Sequence, residues 1–210
     1  FDMIDNMQKG HSFKDYISPD SFEFKSDYFK MGNKFGRVIF LKEYASFIKD
    51  SMISELTDIS KSLILTIDIS PVATDEAIKE AERILLGIET NKANYVRKQS
   101  ENNNFLASVP FDMEQQEQEA REFLNDLMTR DQRMFLGLIT IVFTADTEKE
   151  LDNITESILT TARKNLCQFG LLKFQQLDGL NTALPIGVEK INIVRTLTTE
   201  SLAVFMPFKV

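Results

Sequence analysis

The sequence predicts an α+β fold built on a ferredoxin-like β-α-β-β-α-β core. Two observations predict the core, and a third predicts what is added to it. Arg37 to Pro71 reads as strand, helix, strand, and Met134 to Leu177 repeats the same order. Between these units, two long stretches carry apolar residues at helical spacing, which predicts an inserted α-helical hairpin over 74–132. The repeat is one of element order rather than of letters. Right-handed crossovers would place both core helices on one face of the sheet.

Taken in order, residues 1–20 are polar and weakly periodic and read as a lead-in segment. Ser21 to Met31 alternates Phe22, Phe24 and Tyr28 with charged neighbours, as a half-exposed strand does. The MGNKFG stretch holds Gly32 and Gly36 and suits a turn, so Arg37 to Tyr44 would complete an N-terminal hairpin. Ser46 can cap a helix running to about Ile59, with Ile48, Met52 and Leu56 on one face. Leu63 to Ser70 is a β-rich run that Pro71 terminates.

Thr74 and Asp75 open the first inserted helix, which would fade into a polar tip at KANYVRKQSENNN. The second would run from Glu114 to about Arg130. Met134 to Ala145 is rich in Ile, Leu, Val and Phe, as a strand buried on both faces should be. Asp146 and Thr147 then supply cap chemistry, and Leu151, Ile154, Ile158, Ala162 and Leu166 form one helical stripe. Gly170 is read as the helix stop and Leu171 to Leu177 as the next strand. DGLNTALPIG reads as a turn-rich loop, Ile191 to Val194 as a short strand, and Thr199 as the cap of a last short helix.

Composition narrows the function. The formal charge is −8, with 43% hydrophobic and 27% charged residues, which is an ordinary globular mixture that argues against a dedicated nucleic-acid surface. One cysteine, Cys167, excludes an internal disulfide and any multi-thiolate metal site, and fits a reducing, cytoplasmic setting. The first residue is Phe1 and the last segment is apolar, so the 210 residues are expected to be a single domain of a longer protein.

Catalytic motifs are sparse. There is no G-x-x-x-x-G-K-[ST] and no G-x-G-x-x-G, and Gly32 and Gly36 are spaced for a hairpin rather than a phosphate cradle. His11 is the sole histidine, so no catalytic residues, cofactor ligands or zinc site are assigned. Asp68 and Asp146 fall at or near strand ends, where paired carboxylates can hold Mg²⁺. That pair defines one alternative, a metal-dependent enzyme, although Asp146 is also explained by helix capping. Cys167 reads as a small core residue. Lys92, Arg97 and Lys98 gather near the tip of the inserted hairpin, either as a solvated helix terminus or as a contact for an acidic partner or a membrane-proximal surface.

Three stretches carry a resemblance when taken together: ISPDSFEFKSDYFKMGNKFGRVIFLKEY, DGLNTALPIG and RTLTTESLAVFMPF. In this order, with a helical hairpin between, the chain resembles the N-terminal domain of type IV secretion, or conjugative-transfer, ATPases of the TraC, TrbE and CagE kind. Within that family the resemblance is to versions carried by conjugative elements of Gram-positive bacteria. The resemblance implies a non-catalytic assembly domain at the cytoplasmic face of the cell membrane. Its implied partners are an inner-membrane secretion component, neighbouring copies in a homo-oligomer, and the protein's own C-terminal ATPase domain. ATP and Mg²⁺ would belong to that C-terminal domain, whose phosphate loop has no counterpart here. A regulatory ligand-binding domain on the same sheet is a further alternative.

Overall fold

The computed structural model describes residues 21–44, 52–59, 62–102, 108–129 and 132–205. The fold is α+β, with a seven-stranded antiparallel sheet and six helices among these residues. The strands are β1 (Phe22–Phe24), β2 (Phe29–Met31), β3 (Lys34–Tyr44), β4 (Leu63–Pro71), β5 (Met134–Ala145), β6 (Cys167–Leu171) and β7 (Arg195–Thr198). The helices are α1 (Met52–Thr57), α2 (Thr74–Glu101), α3 (Phe111–Thr129), α4 (Glu148–Lys164), α5 (Gln176–Ala183) and α6 (Thr199–Val204). The sheet order is β1-β2-β3-β5-β4, with β6 also paired to β3 and β7 to β5.

Two compact units divide the chain. The first holds the described residues up to Asp68, Leu138–Arg195 and the end from Val204; the second holds Ile69–Gly137 and Thr196–Ala203. In the first unit, β3 and β5 run side by side with Val38 opposite Val142 and Ile39 opposite Ile141. Side chains alternate across a strand, so two separate apolar surfaces result. Val38, Leu138 and Val142 pack with Leu172, Ala183 and Ile191 on the side of α5. Arg37, Ile39 and Leu41 point the other way, and Arg37 reaches Asp152 and Thr155 on α4. Burial on both faces explains why β5 is a near-continuous apolar run. Beside α4 lies α1, where Asn165 Nδ2 donates to Glu55 at 3.0 Å.

In the second unit, α2 and α3 pack along each other. Ala77, Ala81, Leu127 and Met134 form the buried cluster, with Ile78, Phe123 and Leu124 around it. Thr199 and Arg133 are joined twice: the amide of Thr199 donates to the Arg133 carbonyl, and its hydroxyl accepts from the Arg133 amide.

Several boundaries depart from the sequence reading. Ser21 to Met31 is two strands, not one, because Lys25 N–H bonds the Tyr28 carbonyl and folds the segment back. Phe22 then stacks on Phe24, and Phe29 packs tilted against both. Helix α2 continues to Glu101, so Lys92 to Ser100 is helix rather than loop tip. A solvated helix and a loop share the same polar composition. Strand β6 begins at Cys167, with Leu166 taking the left-handed position (φ 59°) expected of a glycine. Asn165 ends α4 with its amide bonded to the Thr161 and Ala162 carbonyls. Gly170 lies inside β6 against the Phe40 ring.

Within DGLNTALPIG, residues 178–183 belong to helix α5, whereas 184–187, with Pro185, form the turn that ends it. The final strand is Arg195–Thr198, while Ile191 is a core residue. Thr147, not Asp146, caps α4 by accepting from the Glu150 amide at 3.2 Å. Thr198, not Thr199, caps α6 by accepting from Ser201 at 3.0 Å. The expected cap at Ser46 and the lone His11 fall outside the described residues.

Candidate functional site

The candidate surface lies in the second unit, on the α2–α3 pair. Helix α2 opens with Asp75 and Glu76 and carries Lys98 in its last turn, both favourable to the helix dipole. The two helices run antiparallel, since Lys92 meets Glu117 while Glu89, a turn earlier on α2, meets Arg121, a turn later on α3. Lys92 Nζ lies 2.7 Å from Glu117 Oε2. Arg121 bonds Glu117 at 2.9 Å and also reaches Glu89. The Glu117 carboxylate holds the Lys92 ammonium above its ordinary value. Lys92, and then Arg121, hold Glu117 below the usual carboxylate range.

Beside this network runs an open groove of about 580 Å³, lined by Glu89, Lys92, Ala93, Val96, Arg97 and Glu117. Of the three cations singled out from the sequence, Lys92 is the one engaged within the helix pair. Arg97 is 71% exposed and lies 3.8 Å from the Glu101 carboxylate. Lys98 is exposed on the last turn. An apolar strip flanked by an ion network and exposed cations is suited to receiving a polypeptide surface.

Asp68 and Asp146 are not brought together. Thr144, two residues before Asp146, donates to the Ser62 carbonyl at 3.1 Å. Asp68 lies six residues farther along β4 than Ser62, roughly 20 Å of extended chain. Asp146 instead pairs with Lys34 at 3.1 Å. One Asp68 carboxylate oxygen is buried without a hydrogen-bond partner, and burial, with Glu189 nearby, pushes its pKa up. Among the described residues no group of three or more His, Cys, Asp or Glu is placed to hold a metal ion.

Cys167 is fully buried in β6, and burial pushes its thiol up to about 11. A thiol held that high is protonated at neutral pH and is a poor nucleophile. Gly32 forms the β2–β3 turn with φ 57°, and Gly36 sits in β3 under the Phe29 ring. No helix of the described residues is long and apolar enough to cross a membrane.

Sequence reasoning missed two polar residues that organise the first unit. Arg37 is 4% exposed, and its guanidinium donates to Asp27, Asp152 and Thr155. Gln176 is 1% exposed and bonds the backbone of β3. A charged or amide residue inside a strand-like or loop-like run was the available signal, but neither stretch says what it faces. No protein-family model matches the chain, and the comparison with curated proteins gives no match.

Proposed function

We propose that this chain is the non-catalytic N-terminal assembly domain of a type IV secretion, or conjugative-transfer, ATPase, and that the α2–α3 surface is where it meets its partner. The observation that carries the reading is that the stretches behind the resemblance converge on one strand. Gly179, in α5 and in the second stretch, packs on Val38 of β3. Arg195, which opens the last stretch, donates from Nε to the Lys42 carbonyl of the same strand. Lys42 is where the β3–β6 register shifts, so its carbonyl is available. Gly179 and Arg195, one from each of the two later stretches, thus both meet β3, the strand that closes the first stretch.

The fold is consistent with a ferredoxin-like core made of β3, α1, β4, β5, α4 and β6. The neighbour order β6, β3, β5, β4 supports this, as does the packing of α1 beside α4. On this reading the partner is an inner-membrane secretion component at the cytoplasmic face of the membrane. ATP and Mg²⁺ serve a C-terminal ATPase domain of the parent protein.

The test is a mating assay with the parent protein carrying Arg97→Glu and Lys98→Glu together. DNA transfer is expected to fall roughly tenfold or more, with ATP hydrolysis by the parent protein and the melting temperature of this domain unchanged. Unchanged transfer removes the hairpin surface from the proposal. ATP turnover by the purified 210-residue chain overturns the non-catalytic assignment.

A further inference from the structure

Strand β4 ends the sheet: β5 flanks it on one side, and among the described residues no strand pairs with the other. Which backbone groups face outward follows from parity. The Ser62 carbonyl accepts from Thr144, and the Val72 amide donates to Met134, so even-numbered residues bond toward β5. The N–H and carbonyl groups of Leu63, Leu65, Ile67 and Ile69 therefore point away from the sheet. Pro71 has no N–H and closes this outward row.

Exposed edges are ordinarily blunted by lysines, bulges or brevity. The run from Leu63 to Ser70 has none of these. It is LILTIDIS, with a single charge at Asp68, and Ile64 and Ile69 are 49% and 43% exposed.

We propose that this edge pairs antiparallel with the same edge of a second copy of the chain, about a two-fold axis at Thr66. The strand is complementary to itself in that register. Leu65 faces the second copy's Ile67, and Leu63 faces its Ile69, so outward groups meet outward groups and each N–H finds a carbonyl. Ile64 faces the second copy's Asp68, which keeps the two carboxylates apart. Moving the axis to Ile67 would set Leu63 against Pro71, which has no N–H to donate. An isologous contact of this kind closes on itself and yields a dimer rather than a fibre. The proposal stands independently of the secretion reading.

The test is sedimentation equilibrium of the chain over roughly 1–100 μM, with two variants that alter the same exposed position oppositely. Ile64→Glu sets a carboxylate opposite Asp68 on both sides of the axis, whereas Ile64→Lys sets a cation there. Within one copy, positions 64 and 68 are about 13 Å apart along the strand, so the monomer feels little of either change. The expected result is a dimer weakened roughly tenfold by Ile64→Glu and held or tightened by Ile64→Lys.

Thr66→Cys supplies a second readout. Side chains on the axis lie ~4.5–5.5 Å apart, so mild oxidation should cross-link Thr66→Cys but not Ile64→Cys. A wild-type chain that stays monomeric throughout overturns the proposal. So does a dimer that responds equally to the two Ile64 charges, or one that Ile64→Cys cross-links in preference to Thr66→Cys. A monomer that binds an extended peptide instead would assign the edge to another occupant and equally overturn pairing with a second copy.

Discussion

The side-chain amide of Gln176 is bonded to both backbone groups of Val38. Its oxygen accepts from the Val38 amide at 2.8 Å, and its nitrogen donates to the Val38 carbonyl at 3.1 Å. The second amide hydrogen goes to the Leu172 carbonyl at 2.8 Å. This pairing occupies a particular gap. Along one side of β3, β2 pairs as far as Gly36 and β6 begins at Ile39. Between them the outward backbone of Val38 has no strand to pair with, and Gln176 takes the place of one. A buried amide and carbonyl left unpaired are costly, and here a single side chain satisfies both.

Replacing Gln176 with leucine therefore keeps the volume and removes the bonds. With two buried backbone groups orphaned, the loss should be about 2–4 kcal/mol, read from urea denaturation. Gln176→Glu should be worse at neutral pH, because a carboxylate would face the Val38 and Leu172 carbonyls. A loss below about 1 kcal/mol for Gln176→Leu would show that water replaces the side chain readily.

Two helical glycines should respond to alanine with opposite signs. At Gly179 in α5, a methyl group would lie 2.5 Å from Leu172 Cδ1 and 3.0 Å from Val38 Cγ1. Gly179→Ala should destabilise by roughly 1–3 kcal/mol despite the better helix propensity of alanine. At Gly87 in α2, nothing lies within 4 Å of the added carbon. Gly87→Ala should stabilise by about 0.5–1 kcal/mol. Thermal melts of the two variants check both signs, and a Gly179→Ala variant no less stable than the parent would refute the packing of α5 against Leu172 and Val38.

Asp68 gives the protein a pH dependence of known direction. Burial, with help from Glu189, raises its folded-state pKa above the unfolded value. Below both values the carboxyl is protonated in either state and contributes no difference. As pH rises from about 4 through the folded-state value, stability is lost, and above it the penalty is complete. Asp68→Asn should raise the melting temperature at pH 7, with the gain fading as pH is lowered toward 4. A gain equal at pH 4 and pH 7 would mean that something other than ionisation is responsible.

Much of the architecture is legible in the sequence because it depends on local pattern. The apolar run of β5, the helical stripe of α4 and the paired inserted helices are specified by residues close together in the chain. The strand from Met134 to Ala145 has the bounds that its composition predicts. The acidic first turn and basic last turn of α4 follow from the helix dipole. Lys92, Arg97 and Lys98 could likewise be picked out together, since they share one helix.

Tertiary contact decided the rest. Residues 178–183 are helical because Gln176 and Gly179 fit against Val38 and Leu172, whereas the glycine and asparagine there, taken locally, favour a turn. Leu166 accepts a left-handed backbone, a conformation that local sterics oppose, so that Cys167 and Phe169 can pair with Tyr44 and Leu41. Arg37 is buried in a strand because Asp27, Asp152 and Thr155 converge on it from a turn and a helix. Asp68 and Asp146 look like partners in the sequence, but register separates them. Strands and helices were legible wherever periodicity was strong. Which polar groups meet was not, because the pairs that organise the first unit, Arg37 with Asp152 and Gln176 with Val38, join residues more than a hundred positions apart.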